Sequence, residues 1–516
     1  MKKISRFMKT LLACLLVICN LSIFVYAENA VETVDGIKYK SYSSCYSVFD
    51  ASDYSYASDE DKANPVVIKS EINGIPVTSI ESHAFSNSSI VSLIVPSSVN
   101  YVYKYAFMNC SSLRKVEFEA SDEKVTVENE VFNGCEYLEE ITLPTKISQS
   151  VGRNFFKNCY HLKNIIIPEG VTEIGFDAFR YCEALESVVL PSSLTSITDG
   201  AFYHCTSIKS IAVNGGKNFK VSNDALYSYD GNTLIIYFNG LGSTEYSVAF
   251  GTKTIGYGAF AYSSLKKVIL PDGLEKIGLY AFSNCEKLSE INIPDSVKYI
   301  SSDKLDGQYM PSYAFEKCYS LKEITIPAGI INYSEAFISS GLEKVTFADG
   351  TTEIQSNAFK DCKSLKEVYI PSSVTSIENG YFKNLNGVIV YNDSIKILTV
   401  NSNPTVGYKT NTTVKIAANN VTDDCVLAVY KNGSRSEIKP DSNGNCYYEV
   451  NIGQLTSSVS YSVKIEKNNV VQKNTKGDEL VKTFTINVNN SLADKISAFF
   501  TYLFNFFKRP SYTVSY

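Results

Sequence analysis

Histidine is almost missing from this chain: His83, His161 and His204 are all there is in 516 residues. That scarcity removes much of the acid–base and metal chemistry that relies on imidazole. The three also sit where comparable stretches carry Tyr, Asn, Ser or Lys, so they read as surface positions and not as catalytic groups. No G-x-S-x-G, H-E-x-x-H, phosphate-cradling glycine loop or EF-hand loop occurs. No C-x-x-C pair with a nearby histidine offers a zinc site. Basic runs never exceed two or three residues, which argues against nucleic acid as a partner. Acidic pairs such as Glu139-Glu140 recur at polar strand positions and read as a solvated face, not as a glycosidase pair. The expectation is a protein with no catalytic centre, no metal and no cofactor, and so not an enzyme.

Long apolar runs are also scarce. Leu11 to Val25 is one, too short for a comfortable membrane span. It follows four positive charges between Met1 and Lys9 and precedes the small-residue pattern Val25-Tyr26-Ala27. Residues 1–27 therefore read as a secretory signal peptide. Without them, 44 Lys and Arg face 54 Asp and Glu, a net charge of about −10. An acidic secreted or extracellular protein is expected, retained or not at the cell surface.

What is present is a repeat. The window CEALESVVLP at Cys182 has relatives in CEYLEEITLP at Cys135, CYHLKNIIIP at Cys159, CEKLSEINIP at Cys285, CYSLKEITIP at Cys318 and CKSLKEVYIP at Cys362. The shared pattern is C-x-x-L-x-x-I-x-I-P. Just upstream lies an Ala-Phe or similar pair, recurring from Phe85 to Phe382 mostly at steps of 22 to 25 residues. The step from Phe282 to Phe315 is 33, with an insertion near Ser301 to Pro311. The step from Phe202 to Phe260 is 58, room for a variant repeat around Leu226. About 13 units result.

In L-x-x-I-x-I the apolar residues point one way from an extended segment. The following Pro has no amide to donate and ends the strand. A turn, a second short strand and roughly one helical turn bearing Ala-Phe complete the unit. One unit cannot bury its apolar edge, but stacked units share a continuous core. The fold class expected is a repeat solenoid: a right-handed leucine-rich-repeat coil of short parallel strands and short helical turns.

Eight cysteines from Cys110 to Cys362 share one repeat position, with Asn87, Tyr262 and Ser339 read as filling it elsewhere. A disulfide framework would not tolerate those replacements. A ladder of buried thiols is the expectation.

These residues resemble the BspA-like leucine-rich repeats of surface proteins from anaerobic and gut-associated bacteria. The match runs over about residues 66–391 and is specific in its Ala-Phe-x-x-Cys-x-x-Leu core, as in Ala178-Phe179 to Leu185, Ala281-Phe282 to Leu288 and Ala358-Phe359 to Leu365. Ser70 to Ile80 is similar to the family's first repeat, and so is Ala225 to Tyr237, with Asp230-Gly231 as a hairpin turn. The resemblance implies an adhesin that binds proteins of a host matrix or of neighbouring cells.

Residues 28–65 read as an N-terminal β cap, with short strands at Gly36 to Tyr39 and Cys45 to Phe49. Residues 403–490 show short alternating strands divided by Asn432-Gly433 and Asn443-Gly444, which reads as a small immunoglobulin-like β-sandwich. Cys425 and Cys446 fall on the apolar phase there, and a disulfide and two core thiols are equal readings. Residues 491–509 place Ile496, Phe499, Phe500, Leu503, Phe504 and Phe507 on one helical face. That amphipathic helix is too short to span a bilayer. It reads either as a peripheral membrane contact or as a docked helix. No Leu-Pro-x-Thr-Gly sorting signal precedes it.

The residue between the two inward Ile positions should point out of each strand. Glu117, Thr142, Asn292, Thr325, Thr346 and Tyr369 do so toward the ends of the array, while Ile166, Val189, Ala212 and Ile269 do so in its middle. These four are the candidate ligand-binding stripe, on the concave strand face of the solenoid. The rival readings are a secreted carbohydrate-active protein and a structural envelope component with no host ligand.

Overall fold

The computed structural model describes residues 29–486, except 57–62, 148–149, 301–303, 306–307, 310, 355–357, 378–388, 393–395, 402–412 and short stretches beyond 419. The signal-peptide segment and the amphipathic segment 491–509 lie outside the described residues. No helix among the described residues is long and apolar enough to cross a membrane. Two compact units are distinguished, one ending at Ala201 and the other beginning at Phe202.

The first unit opens on three antiparallel strands, β1 (Val31–Val34), β2 (Ile37–Ser41) and β3 (Tyr46–Asp50). Then come β4 (Val66–Val67), β5 (Glu71–Ile72) and β6 (Ile75–Ile80). From there a longer and a shorter strand alternate. They are β7 (Ser92–Val95) and β8 (Tyr101–Val102), then β9 (Lys115–Phe118) and β10 (Thr126–Val127). Next are β11 (Glu140–Thr142) and β12 (Ser150–Val151), β13 (Asn164–Ile166) and β14 (Glu173–Ile174), and β15 (Ser187–Leu190) and β16 (Ser196–Ile197).

Longer strands pair in parallel with longer ones, as Val116 faces Leu93 and Ile141, and shorter with shorter, as Ile174 faces Val151 and Ile197. This is a coil of short parallel strands, as the repeat spacing requires. At the N-terminal side, β3 pairs in parallel with β6, and Tyr39, Tyr46 and Val48 are buried.

The expected helical turn at Ala-Phe is not there. Each such segment is instead two successive tight turns. Tyr103 O accepts from Ala106 N and Phe107 O from Cys110 N, with left-handed residues Tyr105 and Asn109 third in each turn. A left-handed residue every fourth position prevents helical propagation. The first unit's left-handed sites in this region carry His83, Asn87, Asn109, Gly134, Asn158 or Asp177 among others, and none of them is β-branched. The turns also bond between coils: Phe85 N donates to Ala106 O, Phe107 N to Val131 O and Phe156 N to Ala178 O. Inside, the phenyl rings stack along the coil, with centroids 5.1 Å apart for Phe85–Phe107 and for Phe107–Phe132.

The second unit repeats this plan. Its phenyl column runs through Phe260, Phe282, Phe315, Phe337 and Phe359 at 4.9–5.4 Å. Tyr237 stacks on Phe260 at 5.4 Å, so the variant repeat is a full coil with Tyr in the Phe position. The Asp230-Gly231 turn is a hairpin as expected, joining antiparallel strands Ala225–Ser228 and Thr233–Tyr237. Asp230 accepts from Ser228 Oγ and Asn232 N, and Gly231 supplies the positive φ of 81°. The inserted segment holds another small antiparallel pair, Lys304–Leu305 with Gln308–Tyr309.

Past the repeats lie two antiparallel sheets. One is Lys396–Asn401, Thr413–Asn419 and Cys446–Asn451. The other joins Ser434–Ile438, Val426–Lys431, Val459–Lys467 and Val481–Ile486. The sheet structure thus begins at Lys396, ahead of the boundary expected at 403. Glu466 is buried there and is met by the guanidinium of Arg435 at 2.8 Å and by Tyr430 Oη at 2.8 Å. Cys425 and Cys446 are both buried.

Candidate binding surface

The cysteine position needs a correction. The residue in register in the coils that lack Cys is one further along: Ser88, Ser263 and Ser340, not Asn87, Tyr262 and Ser339. Phe85, Phe260 and Phe337 each lie three residues before these serines, the same spacing as Phe107 to Cys110. Chemistry explains the choice. Each thiol donates to the Phe carbonyl of the coil before it: Cys110 to Phe85 at 2.9 Å, Cys135 to Phe107 at 3.0 Å and Cys285 to Phe260 at 3.0 Å. Ser is the other small side chain with a donor. Ser340 and Ser88 lie against the next coil's Cys362 and Cys110 sulfurs at 3.3 and 3.6 Å. Burial pushes the Cys285 thiol up to about 12 and the Cys362 thiol up to about 11, so both keep their protons at neutral pH. The column is a device of the core.

The histidines are ring-stacked. His83 lies on Tyr105 with centroids 5.0 Å apart, His161 on Tyr137 at 4.8 Å and His204 on Tyr262 at 3.5 Å. His161 Nδ1 is also 2.9 Å from the Glu136 carbonyl. Among the described residues no group of three His, Cys, Asp or Glu is placed to hold a metal ion. Glu139 is bonded by Arg114 at 2.7 Å and Lys163 at 3.4 Å, which hold its carboxyl below the usual range.

The outward strand positions carry the candidate surface. Ile166, on β13, is 69% exposed and sits in register with half-buried Val189 on β15. The structure brings these two together. Ala212 and Ile269 belong to the second unit, on Ser210–Val213 and Lys267–Ile269, strands that do not pair with each other. Both are exposed, Ile269 at 46%.

Two features escaped the sequence pattern. Phe250 is 92% exposed at a turn tip. Other coils carry Ser97, Glu169, Ser192, Asp272 or Asp295 there, each after the strand-ending Pro. In the variant coil Ala249 replaces that Pro, which hid the register.

The second is a cleft. Strands β11 and β13 belong to different sheets, although an unbroken ladder would pair them. Lys163 N reaches Glu139 O at 3.4 Å, and beyond that no backbone hydrogen bond joins the two strands. Ile167 N donates to Val189 O at 2.9 Å on the other side of β13, but Leu143 makes no such bond to Ile166. Between the strands lies a cleft of about 600 Å³, walled by Ile141, Leu143, Pro144, Ile166 and Pro168 and rimmed by Glu139, Glu140, Lys163, Asn164 and Glu169. Ile141 is half-buried, whereas its counterparts Leu93, Val116, Ile165 and Val188 are buried. The cleft therefore reaches a position that every other coil of this unit keeps closed.

Such a stack of parallel coils, with a Leu, Ile and Phe interior, defines a leucine-rich-repeat solenoid. A family model described as "BspA type Leucine rich repeat region" matches residues 66–150, 149–251, 236–307 and 304–403, with six copies. The chain belongs to that family. Solved structures with a similar fold include a leucine-rich cell surface protein from Faecalibacterium prausnitzii. It shares 23% identity at a TM-score of 0.48, covering 70% of this chain and 94% of that one. The pneumococcal vaccine antigen PcpA shares 22% at 0.47, covering 70% and 98%. A leucine-rich repeat protein from Eubacterium ventriosum shares 22% at 0.45, covering 69% and 88%. The comparison with curated proteins finds no match.

Proposed function

We propose that this protein is a secreted or cell-surface adhesin that binds a protein of a host matrix or of a neighbouring cell through the outward face of its longer strands. The observation that carries the reading is Ile166, 69% exposed with Val189 beside it on a regular, rigid strand pair. Aliphatic side chains held out on such a frame gain free energy when a partner covers them, at about 25 cal/mol per Å² of apolar surface. Their strands are pinned by the coils, so little ordering opposes binding. Ala212 and Ile269 are proposed as further contacts of the same kind, each within the second unit. Secretion through residues 1–27 belongs to this proposal.

The test is a double substitution, Ile166→Lys with Val189→Lys, in the full chain. Both sites face outward, so the fold is expected to hold, read by an unchanged melting temperature. Adhesion to immobilised matrix proteins or to cells is expected to fall about tenfold or more, the loss of an anchoring contact. Undiminished adhesion by the folded variant would remove this face from the role.

A further inference from the structure

Two neighbouring turns of the second unit hold aromatic rings out into solvent. Strand Thr233–Tyr237 pairs in parallel with Thr254–Ile255, and Thr233 faces Thr254. Four residues before each of these stand Tyr229 and Phe250, level with one another in adjacent coils. Each is the second residue of a tight turn. Gly231 N donates to Ser228 O at 2.9 Å, and Thr252 N to Ala249 O at 3.3 Å. Tyr229 is 57% exposed and Phe250 is 92% exposed. Among the described residues neither ring stacks on another, so both keep apolar faces toward solvent. The row continues in register through Asp272 and Asp295, because Thr254 faces Lys276 and Lys276 faces Tyr299. Both aspartates are exposed. Among the described residues neither carboxylate has a hydrogen-bond or ion-pair partner.

We propose that this row binds a proline-rich segment of a partner protein in the polyproline II conformation, with a Lys or Arg beside the prolines. The pyrrolidine rings lie on Tyr229 and Phe250, and the cation meets Asp272 and Asp295. Aromatic surfaces take up such segments because the ligand is already extended and loses little entropy on binding. The dimensions agree. Four coils at strand spacing cover about 14 Å. A polyproline II chain rises about 3.1 Å per residue, so about five residues reach from Tyr229 to Asp295.

Hydrogen bonding favours prolines over a sugar, the other saturated ring that aromatic faces attract. The polar side chains of the first turn are engaged within it. Asp230 accepts from Ser228 Oγ, Asn232 N and Asn232 Nδ2 at 2.6–2.9 Å, and Ser228 Oγ accepts from Thr233 N at 2.9 Å. What remains beside the rings is donors. Tyr229 carries a hydroxyl, and Lys220 Nζ lies against Gly231, 2.9 Å from where a Cβ would stand. A prolyl segment brings carbonyl acceptors and no amide N–H of its own. A lipid surface fits less well, since Asp272 and Asp295 would be repelled by anionic headgroups. The site uses neither Ile166 nor Val189, so it stands or falls apart from the strand-face reading.

The experiment uses the full chain and a labelled, blocked peptide, Arg-Pro-Pro-Pro-Pro-Pro-Arg, read by fluorescence anisotropy. Arginine at both ends serves either chain direction. Control peptides carry Ala for every Pro, or Glu for both Arg. Maltohexaose and phosphatidylglycerol vesicles stand in for the other occupants. The proline peptide is expected to bind at least about tenfold more tightly than the alanine peptide. Phe250→Ser and Tyr229→Ser should each weaken it about tenfold. Serine already occupies the equivalent turn position at Ser97 and Ser192, so an unchanged melting temperature is expected. Asp272→Lys with Asp295→Lys should weaken the arginine peptide and strengthen the glutamate one.

Equal binding of the alanine peptide would overturn the proposal. So would affinity unmoved by Phe250→Ser, or no binding of the proline peptide at millimolar concentration. Phe250-dependent binding of maltohexaose or of vesicles, without binding of the proline peptide, would give the row to that occupant instead.

Discussion

At the scale of the residue, the most exacting position is the one shared by cysteine and serine. Its side chain must be small, must tolerate burial and must donate to a Phe carbonyl one coil away. The Phe107 carbonyl also accepts from Cys110 N at 3.3 Å, so losing the Cys135 thiol removes one of its two hydrogen bonds, worth about 0.5–1.5 kcal/mol. Cys135→Val should therefore destabilise more than Cys135→Ser, although valine is the more apolar replacement; chemical denaturation of the two variants decides it. If valine proves the milder change, the bond from Cys135 to Phe107 is unimportant to the fold.

Ionisation supplies a second consequence. A thiol whose folded pKa is raised binds its proton more tightly in the native state than in the unfolded one. Its contribution is complete below the unfolded value, about 8.5. It is lost as pH climbs through the folded values of about 11 at Cys362 and about 12 at Cys285. The melting temperature should fall between about pH 8.5 and 11. Cys285→Ser should flatten that fall, measured by thermal unfolding across the range.

At the scale of the element, each coil is two strands and a pair of turns, and coil spacing is set where backbones approach most closely. Gly175 follows the short strand β14, and a Cβ there would lie 2.7 Å from Arg153 N and from the Gly152 carbonyl carbon. Both are main-chain atoms, and neither can swing aside. Gly175→Ala should cost about 1–3 kcal/mol, the range of overpacking a closed interior, by denaturant titration. At Gly215 nothing lies within 4 Å, so steric contact there adds no such cost.

The strand periodicity was legible at this scale from the alternation in L-x-x-I-x-I: Leu185, Ile291 and Val368 are all buried as that alternation requires. The turns were not legible. Ala-Phe next to small and polar residues has reasonable helix propensity, and nothing local reveals that Tyr105 and Asn109 take the left-handed conformation. Their bonding to neighbouring coils overrides propensity.

At the scale of the whole molecule, stacked coils depend on each other and on their ends. The N-terminal side is the first such end, where Tyr39, Tyr46 and Val48 are buried. Removing residues 29–65 should uncover Ile68, Val77 and Ile80 and drive association, visible as a high-mass species in size-exclusion chromatography. A monomeric, fully folded truncated chain would show that the first coil closes itself.

The sequence by itself determined the repeat, its count of about 13, the inward Leu, Ile and Phe columns and the outward phase of Ile166 and Val189. All of these follow from period: a coil of fixed length returns the same residue to the same side, so one apolar stripe needs no long-range information. Only the tertiary structure decided what happens between coils. Whether β11 bonds to β13, whether Ser88 or Asn87 meets Cys110, and whether Phe250 is covered all depend on how one coil seats on the next. Those contacts join residues about two dozen apart whose separation the pattern gives but whose fit it does not.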